Sequence, residues 1–301
     1  MSATNEPRAV VLVNARAGQG SRAVRGAQEA ARVWAQAGWQ VELRAPSGRE
    51  AMRAAARRAA LEAVQVVLVA GGDGSYRLVA EGLFGTGTAL APLPLGSRSV
   101  LAQALGAPRP GPGWPWRWPR WLRRLAHGRA QPYPVARVNG QLFLSWAGWG
   151  FDAAVVHAVE AARQGPRGWV LLRYSVAIAR VLRTWSGFYR HDAPQGPWWM
   201  GLVYHQPRYA GGLIRLPEPT PNAPWRVLWV PGQGLQGFKQ ALRAWLGYRF
   251  RGADPTRALS EQGHTWSWDR PIPLHLDGDP AGKTTHVHWA PEPAPLLLWT
   301  A

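Results

Sequence analysis

At 301 residues the chain is long enough for one large or two medium domains, and with 47% hydrophobic residues it can bury a sizeable core. The absence of cysteine excludes disulfides and Cys-based metal sites, and a formal charge of +18 points to anionic partners: nucleotide, nucleic acid or acidic lipid headgroups. No apolar run reaches the ~18 residues a membrane span needs, no signal peptide is evident, and no helix-turn-helix, zinc-finger or RNP signature favours nucleic acid, so a cytoplasmic protein that binds no nucleic acid is expected.

The first part alternates strand and helix. Strand Ala9–Val13 leads to helix 21–37, strand Gln40–Arg44 to the Ala-rich helix 48–62, strand Val64–Ala70 to helix 75–83, and strand 89–93 to helix 98–105. Buried apolar runs between amphipathic helices indicate a parallel sheet covered on both faces, with ligands at the carboxyl ends of its strands. A Pro/Gly/Trp-rich stretch follows and runs into a helix over 117–127, where Trp114, Trp116, Trp118 and Trp121 alternate with Arg. Trp beside Arg suits either a bilayer interface or a packed junction. From about 133 the texture changes to short β-rich segments at 133–138, 141–147, 198–204, 225–230, 264–269 and 272–276, with one amphipathic helix over 169–184. These spacings predict an antiparallel β domain with an inserted helix. His286 and His288 share a strand face; without Cys or a nearby acid cluster they read as solvent-facing rather than as zinc ligands.

Three strand ends carry turns rich in small residues: Asn14-Ala15-Arg16-Ala17-Gly18, Gly71-Gly72-Asp73-Gly74-Ser75, and Pro94-Leu95-Gly96-Ser97. Turns without bulky side chains let backbone N–H groups approach a phosphate. Two later segments are Gly148-Trp149-Gly150-Phe151-Asp152-Ala153 and Leu276-Asp277-Gly278-Asp279. In this order the five motifs resemble the diacylglycerol kinase catalytic family, which includes sphingosine and ceramide kinases and is more distantly related to NAD kinases.

The resemblance implies an α/β fold: an N-terminal doubly wound, Rossmann-like nucleotide domain over 1–130, completed by 291–301, and a C-terminal antiparallel β-sandwich over 131–290 for the lipid acceptor, with the active site in the interdomain cleft. It implies ATP as donor, Mg²⁺, a lipid alcohol as acceptor, and peripheral contact with an anionic membrane surface; the oligomeric state stays open. Asn14, Gly71, Gly72, Gly74, Ser75, Gly96 and Ser97 are the expected nucleotide contacts, and Asp152 would orient the acceptor. The base is expected from Asp73, as in the sphingosine-kinase branch, or from Asp277 and Asp279, as in the bacterial branch. A hairpin turn at Asp277-Gly278 and a helix N-cap at Asp152 are the structural alternatives.

The chain also departs from the family. Ser99 and Val100 stand where the third motif carries Asn and Asp, and Ala223 replaces an Asp that helps hold a structural magnesium. Ala45 and His205 replace a common Thr and Asn. These departures keep two rivals open: a catalytically degenerate lipid- or nucleotide-binding homologue, and a soluble kinase of the NAD-kinase type.

Overall fold

The computed structural model describes residues 6–14, 20–96, 99–162, 170–193, 196–251, 255–260 and 262–301. Continuous Val/Leu/Ala runs become fully buried strands, and the Ala/Arg-rich segments between them become helices. In chain order these are β1 Arg8–Val13, α1 Gly20–Gln36, β2 Gln40–Arg44, α2 Arg49–Leu61, β3 Val66–Gly71, α3 Asp73–Leu83, β4 Ala89–Pro94, α4 Val100–Ala104, α5 Trp114–Ala126 and β5 Arg129–Tyr133. The second stretch begins with β6 Ala136–Val138, β7 Gln141–Phe143, β8 Trp146–Gly150, α6 Phe151–Ala161 and α7 Val170–Thr184. It continues through β9 Trp198–Tyr204, the short pair β10 Arg208–Tyr209 and β11 Ile214–Arg215, β12 Arg226–Pro231 and α8 Gly234–Arg251. The last strands are β13 Thr256–Ala258, β14 His264–Leu276, β15 Asp279–Pro291 and β16 Leu296–Thr300.

The chain divides into two compact units, Met1–Pro134 with Pro293–Ala301, and Val135–Glu292. The first holds a six-stranded sheet in the order β2-β1-β3-β4-β16-β5. Its pairs are parallel except the antiparallel β16–β5 edge. This is the doubly wound, Rossmann-like α/β architecture.

The second unit is an antiparallel sheet of eight strands, β13-β12-β9-β8-β14-β15-β6-β7. Its two packed layers come from one continuous sheet that curls. Phe143 near one edge lies 5.2 Å from Trp225, which leads into β12 toward the other edge, and Trp225 lies 6.0 Å from Trp289 of β15. Register shifts in β14, between Ser267 and Ile272 and again between Pro273 and His275, supply the bend. The sequence splits β14 into two strands, 264–269 and 272–276, at Arg270-Pro271; the structure carries one strand across this irregularity. It also adds α6 and α8 to the single helix expected here. His286 and His288 are exposed on either side of buried Val287, as solvent-facing strand residues are.

Of the two roles open to the Trp-rich helix α5, the packed one is what its buried face serves: Trp118 and Trp121 are buried, Trp114 is half-buried and Trp116 is exposed. Trp114, Trp118 and Trp121 stack in series at 4.8 and 5.5 Å, and the Trp118 indole N–H donates to Glu29 Oε2 of α1 at 3.0 Å. The segment is core, joining α5 to α1. Trp118→Phe keeps most of the volume but drops the bond to a carboxylate, and is expected to cost about 2 kcal/mol in urea unfolding; an unchanged midpoint would contradict this packing role.

Candidate active site

The turns after β1, β3 and β4 meet because those strands are neighbours in parallel register, with Val13 beside Ala70 and Gly71 beside Pro94. Gly71 ends β3, Gly72 is the extended residue before α3, and Gly74 is the second residue of that helix. The Gly96 N–H donates to the Gly71 carbonyl at 2.7 Å. A Cβ on Gly96 would lie 2.5 Å from Gly72 Cα and 2.7 Å from Gly72 N, so only glycine permits this backbone crossing. Gly72 has room: its Cβ would meet nothing closer than Gly96 Cα at 3.6 Å. Asn14 Nδ2 donates to the buried Ser75 Oγ at 3.4 Å, tying the β1 turn to the β3 turn.

Below this backbone cradle lies a buried polar layer. The Tyr76 hydroxyl reaches the carbonyls of Leu93 at 2.6 Å and Gly71 at 2.9 Å. Burial, then the Asp73 charge, pushes that hydroxyl well above its usual range, so it remains a donor. Ser99, in left-handed conformation, also donates to the Gly71 carbonyl at 3.1 Å. Asp73 accepts the N–H groups of Val100 and Leu101 at 2.9 and 3.0 Å, so it anchors the start of α4 to the start of α3. Two such bonds leave a carboxylate further acceptor capacity. Ser97 lies outside the described residues.

The second unit gathers the other motif residues. Asp277 and Gly278 form the two-residue β14–β15 turn with φ of 51° and 84°, the positive pair a type I′ hairpin requires. The Asp277 side chain turns inward and is 5% exposed. Its carboxylate accepts three backbone N–H groups, from Leu144 at 2.8 Å, Ser145 at 2.7 Å and Trp146 at 3.1 Å. Asp277 therefore latches the β7–β8 loop, a duty the sequence does not announce. Asp279, opening β15, is half-buried.

Asp152 sits in the first turn of α6, whose N-cap is Gly150; the side chain is not the cap. Its Oδ2 receives the Tyr209 hydroxyl at 2.7 Å and His275 Nε2 at 2.9 Å. The Gly278 N–H points at His275 Nδ1 at 3.3 Å, which assigns the ring proton to Nε2, facing the carboxylate. Burial, followed by the Asp152 charge, raises Tyr209 well above its usual range, so it too donates. A Cβ on Gly148 would fall 2.3 Å from Asp152 Oδ2 and 2.4 Å from His275 Nε2. Glycine at that motif position makes room for the pair.

His275 and Tyr209 were not among the candidates. His275 could have been found by strand alternation, since it lies two residues before Asp277. Tyr209 arrives from the short strand β10, 57 residues along the chain from Asp152, and carries no local signal. Among the described residues no group of three or more His, Asp or Glu could hold a metal. Ala223 closes a tight turn by exchanging backbone bonds with Thr220 at 3.0 and 3.2 Å. The described residues do not make an all-protein magnesium cage.

Residues 8–138 match the family model of the diacylglycerol kinase catalytic domain. Over 117 residues the chain is 32% identical to a diacylglycerol kinase of Bacillus subtilis (strain 168), covering 38% of this chain and 37% of that protein. It is 42% identical over 99 residues to a Pseudomonas aeruginosa PAO1 protein named "Probable lipid kinase YegS-like", covering 32% and 30% of the two chains. The matched region thus spans about a third of those relatives' length. A crystal structure described as a diacylglycerol kinase from Bacillus anthracis str. Sterne superposes with a TM-score of 0.71 at 16% identity, over 99% of this chain and 98% of that one. That likeness is one of fold.

Proposed function

Residues 8–138 belong to the diacylglycerol kinase catalytic-domain family, and from that premise we propose that the protein transfers the γ-phosphate of ATP to the hydroxyl of a diacylglycerol-like lipid alcohol, at an anionic membrane surface. The observation that supports this reading is the meeting of three strand-end turns: Gly71 and Gly96 let the turns pack backbone to backbone, and the space beside Gly72 is open, with nothing nearer its Cβ position than Gly96 Cα at 3.6 Å. The N–H groups there, with Asn14 and Ser75 beside them, suit a row of phosphates. Magnesium would arrive with the nucleotide, whose phosphates supply most of its ligands.

The acceptor half is assigned to Asp152, His275 and Tyr209. His275 and Tyr209 hold Asp152 Oδ2 while Oδ1 accepts the Ala153 N–H, and the carboxylate so oriented would accept a further hydrogen bond from the acceptor hydroxyl. In the transfer, the acceptor O–H gives its proton to a carboxylate, a new P–O bond forms, and the bond between the γ-phosphorus and the bridging oxygen breaks to release ADP. Asp279 is the preferred base of the three candidates, because it lies in the same unit as Asp152 and His275. Asp73, equally half-buried, anchors α4, and Asp277 is buried and latches a loop.

Asp152→Asn and Asp279→Asn test this assignment. A group that positions the acceptor or takes its proton contributes ~10²–10⁴-fold to rate. Each variant is expected to lose turnover in that range with unchanged ATP affinity. Wild-type rates in both would remove the acceptor assignment.

A second reading, a binding homologue without turnover, has its own support. Two of the three candidate bases are engaged by backbone amides, and Val100 stands where the family carries Asp. Persistent ATP binding with no transfer to any lipid would favour it.

A further inference from the structure

With α5 packed as core, the exposed apolar surface lies elsewhere. On α8, Leu235, Phe238, Leu242 and Leu246 are 57%, 39%, 41% and 38% exposed. At 100° per residue they occupy a stripe about 80° wide along one side of the helix. The opposite side seats on the sheet: Gly237 is buried, and a Cβ there would fall 2.1 Å from the Trp199 ring. Helix α7, which packs against α8, repeats the arrangement. Ala177 and Val181 face inward, while Leu172 and Val176 are 49% and 58% exposed.

The charge on these two helices is one-sided. Neither α7 nor α8 contains an Asp or Glu. Lys239 and Arg243 border the α8 stripe, and Arg180 and Arg183 flank the exposed side of α7, all four solvent-exposed. We infer that the α7–α8 face docks on an anionic lipid bilayer, its Leu, Phe and Val side chains entering the headgroup boundary and its Arg and Lys meeting lipid phosphate. An apolar stripe edged by cations with no acid among them is the composition of a helix lying in that plane. A second copy of the chain is a poor occupant, because a two-fold contact would set these cations against themselves. The proposal deepens the lipid-acceptor reading by naming the surface, and rests on that reading for its purpose.

The test is vesicle sedimentation of the full-length protein without nucleotide, using phosphatidylglycerol and phosphatidylcholine vesicles at low and high salt. Native protein is expected to sediment with phosphatidylglycerol vesicles and to be released by salt. The paired variant Leu242→Glu with Leu246→Glu should bind at least tenfold more weakly, and Lys239→Gln with Arg243→Gln about tenfold more weakly. Trp116→Ala on α5 should bind as the native chain does. These positions are exposed, and matched circular dichroism melts verify that the variants fold. Native-like sedimentation of the Glu pair, or native protein that ignores phosphatidylglycerol, overturns the proposal. So does a Glu pair that converts a dimer to a monomer without altering vesicle binding, which would give the face to a second copy. Turnover on a soluble short-chain diacylglycerol should be equal in native and variant chains. Absence of that turnover in the native chain would instead strike the lipid kinase reading and leave the docking result standing.

Discussion

Gly72→Val is expected to bind ATP roughly a hundredfold more weakly than the native chain while unfolding at nearly the same temperature. Gly72 has φ −120° and ψ −173°, a conformation that β-branched residues favour. A Cβ there meets nothing closer than 3.6 Å, so the fold accepts the side chain. The isopropyl group then fills the side on which phosphate would approach backbone N–H groups. Hydrogen bonds to a charged group contribute about 1.5–3 kcal/mol each, and losing one is a factor of roughly ten to a hundred and fifty in affinity. Gly96→Ala is the contrasting variant. Its Cβ would overlap Gly72 backbone at 2.5 Å, so both ATP affinity and melting temperature fall. Calorimetric titration with thermal melts on both variants reads the difference. Equal ATP affinity in Gly72→Val and native protein would place the nucleotide elsewhere.

Asp277→Asn is expected to destabilise the protein by about 3–5 kcal/mol, against near-neutral effects for Asp279→Asn. Three backbone N–H groups converge on the Asp277 carboxylate in a buried site. Asn offers one acceptor oxygen and turns an amino group toward donors, leaving at least one amide unsatisfied beside an N–H repulsion. Each kcal/mol shifts the midpoint of a unit this size by roughly 2–4 °C, so a fall of about 6–20 °C is expected. The variant also frees the β7–β8 loop beside Gly148, and thereby the Asp152–His275 pair. Its turnover loss must therefore be read against its melt. A native melting temperature with a thousandfold loss in turnover would restore Asp277 as the base and remove the latch.

Much of the first unit is legible in the sequence for a simple reason. Strands such as Val66–Gly71 are buried on both faces and read as unbroken apolar runs, and the small-residue turn follows each run directly. The second unit hides more. β14 is interrupted by exposed Asp269, Arg270 and Pro271, and β15 carries Pro280 and Gly282, so alternation fails where the sheet bends. Helix α8 is not among the expected elements: Gly237 and Gly247 lie within it, and its apolar stripe faces outward instead of toward the core. The Asp152–His275–Tyr209 cluster is half legible. Asp152 and Asp277 stand in recognisable motifs, but Tyr209 joins Asp152 across 57 residues, a pairing that only the folded sheet creates. The Trp–Arg segment of α5 misleads in the other direction: its composition suits an interface, yet Trp118 and Trp121 are used to bury α1.

Transfer of label from γ-labelled ATP to lipid tests the central claim most directly. Purified protein, Mg²⁺ and a panel of diacylglycerols, ceramide, sphingosine and NAD are incubated together, and the products are separated by extraction and chromatography. Label should appear in an organic-extractable phosphomonoester of a lipid alcohol, with one ADP released per phosphate transferred and the signal lost in Gly72→Val. Label confined to inorganic phosphate or to NADP, or ATP bound without transfer to any lipid, would contradict it.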